Sequence, residues 1–213
     1  MGLLDRLGTR KNEPEPQVSA APVELSFATK ALPKFLSLLA ADESPVLLDL
    51  GPVVGPNIGF FGEQLGCKIL IEDVFADLDR HVRAGTLEAL PAFLTRRFAH
   101  ADESVDAVLG WDVIDYLDKA SAQALADQVT RVLKPDGVLL AFFTGSATAD
   151  ATYTKFVIQD EVNVKCRPYP AARGKQGALL NRDIIRLFGG LRVSDSFLLK
   201  NNLREILFRK PSA

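Results

Sequence analysis

Between Pro45 and Phe143 short apolar runs alternate with stretches of helical spacing, and no other feature restricts the fold as strongly. Pro45-Val-Leu-Leu-Asp-Leu50 is almost continuously apolar, as a strand buried on both faces requires. Gly51-Pro-Val-Val-Gly55 reads as a turn, after which Ile58, Phe61 and Leu65 recur at helical spacing up to Gly66. Cys67–Glu72 reads as a second strand, Val74–Val82 as a helix and Val105–Gly110 as another strand. Ser121–Leu133 places Leu125, Val129, Val132 and Leu133 on one helix face, Lys134-Pro-Asp-Gly137 stops it in a turn, and Val138–Phe143 is the next strand. Such alternation builds a mainly parallel sheet with helices on both faces. The end of the chain breaks the pattern. Leu191–Leu199 and Leu203–Lys210 are strand-like runs separated by Lys200, Asn201 and Asn202, and adjacent asparagines tolerate positive φ, so the pair predicts an antiparallel hairpin. Upstream, Phe27, Leu32, Phe35, Leu36 and Leu39 have helical spacing over Leu25–Leu39, with Pro33 placing a helix start.

A chain of 213 residues suits one domain with a tail. Residues 1–22, with Lys11, Glu13, Pro14, Glu15 and Pro16 followed by small residues, predict a flexible tail, which leaves 23–213 as the α/β domain. With 47% hydrophobic and 24% charged residues, global disorder is excluded. The longest apolar runs are too short to cross a bilayer and Met1–Arg10 has no secretory apolar stretch, so a cytoplasmic setting is expected. Two cysteines and two histidines exclude a disulfide scaffold and predict no metal site. Cys67 reads as packing, and His81 and His100 as surface residues. Charge is uneven: residues 155–213 carry 12 Lys+Arg against 5 Asp+Glu, residues 1–154 carry 13 against 22. No basic block of nucleic-acid type occurs.

In an open α/β sheet, ligands bind beyond the carboxyl ends of the strands. The candidate there is Asp49-Leu-Gly51-Pro-Val-Val-Gly55, whose glycines let the backbone approach a ligand, with Glu72 and Asp73 after the second strand able to accept both hydroxyls of a ribose. Asp49-x-Gly51-x-x-x-Gly55, Glu72, Asp106 in Ser104-Val-Asp-Ala-Val and Leu133-Lys-Pro-Asp-Gly137 together resemble the class I S-adenosylmethionine-dependent methyltransferases, over about residues 40–145 by motif and 181–210 by pattern. The resemblance implies a Rossmann-like, mostly parallel seven-stranded sheet with helices on both faces, completed by the terminal antiparallel hairpin. It implies that Gly51 to Gly55 wrap the methionine part of S-adenosyl-L-methionine, that Asp49 supports that loop or the cofactor's amino group, that Glu72 binds the ribose with Asp73 at the pocket edge, and that Trp111 and Asp112 line the methionine end. Two positions depart from the family pattern. Val53 replaces a middle glycine, and Leu94 stands where an acid follows strand three.

The function implied is methyl transfer, in which the protein mainly positions two partners and excludes water, so no catalytic dyad is expected. Residues 146–180 are longer than a plain connection needs, and the family places acceptor-binding insertions here. Arg167, Tyr169 and Arg173, with Lys175 nearby, are the candidates for holding a small anionic acceptor. An Asn/Asp-Pro-Pro-Tyr signature of nucleobase amino methylation is absent. The alternatives are a binding or regulatory protein on the same fold with a degraded cofactor loop, and a nicotinamide dehydrogenase, for which Gly51-Pro-Val-Val-Gly55 is a poor fit. The oligomeric state is left open.

Overall fold

The computed structural model describes residues 24–41, 43–144 and 151–212, so the stretch read as a tail, 1–22, lies outside the described residues. In chain order the elements are β1 (Leu25–Ala28), α1 (Leu32–Leu39), β2 (Val46–Asp49), α2 (Gly55–Ile58, continuing as a wider π-helical turn through Gln64), β3 (Lys68–Ile71) and α3 (Val74–Ala84). They continue with α4 (Leu90–Arg97), β4 (Val105–Trp111), α5 (Lys119–Val132), β5 (Leu133–Thr144), β6 (Thr152–Ile158), β7 (Asn163–Pro170), α6 (Asn181–Leu187), β8 (Arg192–Leu198) and β9 (Leu203–Arg209).

Six strands form the main sheet in the order β3-β2-β4-β5-β9-β8. The first four are parallel, β9 runs antiparallel to β5, and β8 closes the edge by an antiparallel hairpin. That hairpin turns where the sequence places it, with Asn202 at φ 64°. The sheet separates two apolar clusters: α3, α4, α5 and α6 cover one face, and α1, α2 and strand β6 cover the other. At its amino end, Asp106 accepts from Val46 N and pairs with Lys134, which ties β4 to β2 and β5. Lys134–Gly137 is an excursion within β5, since Val105 pairs with Leu133 and Ala107 already pairs with Val138.

Two expectations are corrected. Among the described residues the main sheet has six strands, because the stretch where a strand three was expected is α4. Pro91 lies in its first turn, where a missing N–H costs nothing, and Leu90 and Leu94, four apart, bury one face. Leu94 is therefore a core helix residue, away from any strand end. Leu25–Ala28 is a strand, and the helix begins only at Leu32, with Pro33 in its first turn as expected. The pairing that decides this is remote: Leu25 lies opposite Cys166 on β7. The long segment between β5 and α6 contributes a β-hairpin over 152–170, and with β1 it makes a second, antiparallel sheet in the order β1-β7-β6.

Candidate functional site

The carboxyl ends of the adjacent parallel strands β2, β3 and β4 bring together Asp49, the 51–55 loop, Glu72, Asp73, Trp111 and Asp112. Sequence spacing predicted that convergence. It did not predict what fills it. Trp111 closes β4 at φ 44°, a conformation that costs a tryptophan about 1–3 kcal/mol. Its indole turns toward the glycine loop and donates to Asp49 Oδ1 at 2.7 Å, and Gly51 N donates to the same oxygen at 2.8 Å. A Cβ on Gly51 would stand 2.7 Å from Trp111 Cδ1. Gly51 is thus needed to admit the indole. Phe156 of β6 stacks on the other side of that ring, 5.3 Å between centroids and nearly parallel. Asn57 of α2 holds β6 in place as an adjoining strand would: its amide donates to Phe156 O at 2.9 Å and accepts from Ile158 N at 2.8 Å. Asp49 is 5% exposed, and burial raises its carboxyl to about 6, against the pull of the Gly51 and Trp111 hydrogen bonds.

Glu72 is likewise engaged from within. Arg97, at the end of α4, forms ion pairs with Glu72 and with the buried Asp77, and His100 Nε2 lies 2.7 Å from Glu72 Oε1. Burial, then the charges of Arg131 and Arg97, lower the His100 imidazole. Arg97 supplies the fixed positive charge beside Glu72. The contact with Glu72 corrects the surface reading of His100, which is partly buried. The replacement of strand three by α4 is what delivers Arg97.

Asp112 has a third internal partner. Lys175 reaches in from the 171–180 segment and sits 2.8 Å from Asp112 Oδ2, 3.4 Å from Asp115 Oδ2 and 2.9 Å from Thr144 Oγ1. Burial raises both carboxyls, that of Asp115 to about 7. Burial also pulls the ammonium down, but the two carboxylates outweigh it and Lys175 is raised. The segment is further pinned by Gln176 N donating to Asp115 O.

The acceptor candidates separate. Arg167 pairs with Glu24 at 2.9 Å on the second sheet. Tyr169 is tilted on Tyr153 at 5.7 Å, with Lys155 over its face at 4.8 Å. Arg173 alone of the three lines a cavity of about 190 Å³, together with Asp73, Phe75, Asp79, Tyr116 and Tyr153. A larger cavity of about 460 Å³ lies between the start of α5 and residues 176–187. Arg97, Asn57, Phe156 and the inward course of Lys175 were not read from the sequence as parts of the site. Each is distant in the chain from the group it meets, and none stands in a motif.

No protein-family model and no curated protein sequence matches the chain. Solved structures do. A 1,6-didemethyltoxoflavin-N1-methyltransferase from Burkholderia thailandensis, with bound 1,6-didemethyltoxoflavin and S-adenosylhomocysteine, superposes with a TM-score of 0.51 at 13% identity, covering 85% of this chain and 79% of that one. An S-adenosylmethionine-dependent methyltransferase from Mesorhizobium loti gives 0.51 at 11% identity, covering 84% and 96%. The fold is that of the class I S-adenosylmethionine-dependent methyltransferases.

On this methyltransferase fold the cofactor implied is S-adenosylmethionine, and it does not fit the cleft as these side chains are arranged. The space beside Gly51, where its methionine part belongs, holds the Trp111 indole. The carboxylate that would take its ribose is neutralised by Arg97. The cavity beside Asp73, at about 190 Å³, is below the about 300–1,000 Å³ that encloses larger small-molecule ligands.

Proposed function

We propose that this chain uses the methyltransferase fold as a binding scaffold, taking a small ligand at the carboxyl end of the sheet without transferring a methyl group. The observation that carries this is Trp111, which fills the Gly51 side of the cleft and satisfies Asp49 through its indole N–H. A buried carboxylate with its partners supplied internally is a finished structural element, with no ligand needed to complete it.

Methyl transfer from S-adenosylmethionine to a small anionic acceptor is the second reading. The fold shared with the two methyltransferases supports it, and so does the outer half of the glycine loop, where a Cβ on Gly55 would meet nothing within 4 Å. It requires the Trp111–Phe156 stack to part. Under that reading Glu72→Ala removes charged hydrogen bonds to the ribose and weakens the cofactor by about one to two decades. Among the described residues no helix is long and apolar enough to cross a membrane, and both readings concern small-molecule ligands.

Calorimetric titration with S-adenosylhomocysteine, compared with NAD, tests the choice. The scaffold reading expects no saturable heat from either at millimolar concentration. Micromolar binding of S-adenosylhomocysteine that Glu72→Ala weakens by about one to two decades returns the second reading.

A further inference from the structure

The 190 Å³ cavity differs in kind from the closed cleft beside it. Asp73 caps α3, accepting from Ala76 N through Oδ1, and among the described residues no cation lies within ion-pair distance of it. Arg173, which lines the same cavity, donates to Gln176 and has no carboxylate partner among the described residues, and its Nη1 is buried without a hydrogen-bond partner. Asp79, the other acid of the lining, is already paired with Arg83 and accepts from Ala172 N. One carboxylate and one guanidinium therefore border the same cavity without meeting each other. Three aromatic rings share the lining: Phe75 packs edge-on against Tyr116 at 4.9 Å and tilted against Tyr153 at 5.2 Å. Burial, then the charge of Asp73, raises the Tyr153 hydroxyl, which places that acid's field on the aromatic side of the cavity.

Aromatic faces beside a carboxylate attract an alkylated ammonium, and an unpaired guanidinium recognises a carboxylate in fork geometry. The volume is about six times that of a liquid water molecule, enough for a compact ligand of a few heavy atoms. We propose that this cavity binds a small zwitterion, an amino acid or N-methylated amino acid, with its ammonium at Asp73 beside Phe75 and Tyr153 and its carboxylate at Arg173. The proposal names the ligand class for the scaffold reading above and rests on it, but uses none of the residues that close the Gly51 cleft.

The probes are glycine betaine, glycine, choline and acetate, titrated calorimetrically into the full chain. Glycine betaine is expected to bind saturably and more tightly than glycine, because the methyl groups meet aromatic faces. Choline and acetate each lack one charge and are expected to bind at least about tenfold more weakly. Asp73→Asn retains a helix-capping side chain and Arg173→Gln retains a polar one. Each is expected to weaken glycine betaine by about ten- to hundredfold while leaving the thermal midpoint nearly unchanged. Absence of saturable heat from both zwitterions overturns the proposal. So does binding of choline equal to that of betaine with no effect of Arg173→Gln. Neither result touches the scaffold reading, which stands or falls on S-adenosylhomocysteine.

Discussion

Two neighbouring pockets at the carboxyl end of one sheet have opposite polar accounts. Behind Gly51, Asp49, Glu72 and Asp112 have all been given partners from the chain itself: Trp111, Arg97 and Lys175. Beside Asp73, a carboxylate and a guanidinium face a cavity with no ion pair to satisfy either among the described residues. A carboxylate at a strand end therefore does not by itself mark a binding site. What marks one is a charge the fold has left without a partner next to space that a ligand can enter.

Four substitutions break or sharpen that contrast, in falling order of effect. Lys175→Met removes the cation from between Asp112 and Asp115 and leaves two buried carboxyls unpaired. A loss of about 3–5 kcal/mol in urea unfolding is expected, greatest above pH 7, where Asp115 is ionised, and smaller at pH 5, where it takes up a proton. A change within error would mean that the closed side is held by packing alone.

Asp49→Asn works in the other direction. With its carboxyl raised from 3.8 to about 6, the native chain holds a proton over a range where the unfolded chain has released it, so stability falls as pH rises from about 4 to 6. The amide retains an oxygen for Gly51 N and Trp111 Nε1. The variant is expected to be more stable at pH 7 by about 3 kcal/mol and to lose that slope. A variant less stable at neutral pH would show that the ionised carboxylate is wanted there.

Asn57→Ala releases the β6 edge, losing both hydrogen bonds to the strand that carries Phe156. About 2 kcal/mol and faster amide exchange at Ile158 are expected, with exchange in β9 unchanged. Uniform acceleration across both sheets would mean that β6 opens only with the whole molecule. Arg167→Ala, on a half-exposed pair with Glu24, is expected to shift the thermal midpoint little and to leave betaine binding unchanged, in contrast to Arg173→Gln. Weakened betaine binding in that variant would extend the site onto the second sheet.

The parallel core was legible because its signals are local. Val46–Leu48 and Ile69–Ile71 are continuous apolar runs, and Asn201–Asn202 announce the hairpin by their tolerance of positive φ. The glycine loop and the acids of the site were legible for the same reason, as positions relative to strand ends. Their partners were not. Arg97 meets Glu72 only because Pro91 and the Leu90/Leu94 spacing make α4 a helix, and the competing expectation there was a strand. Strand β1 depends on β7, well over a hundred residues downstream. Phe156, an ordinary apolar residue of an alternating run, gains its role only from the stack on Trp111.

Trp111 is the only tryptophan of the chain, so its fluorescence reports on the closed cleft without any label. At 4% exposure and sealed by Phe156, it should emit as a buried indole, with neither intensity nor emission maximum changing as S-adenosylhomocysteine is added to millimolar concentration. A saturable quench or red shift at micromolar S-adenosylhomocysteine would show the indole leaving Gly51 for the cofactor, and would contradict the closed cleft.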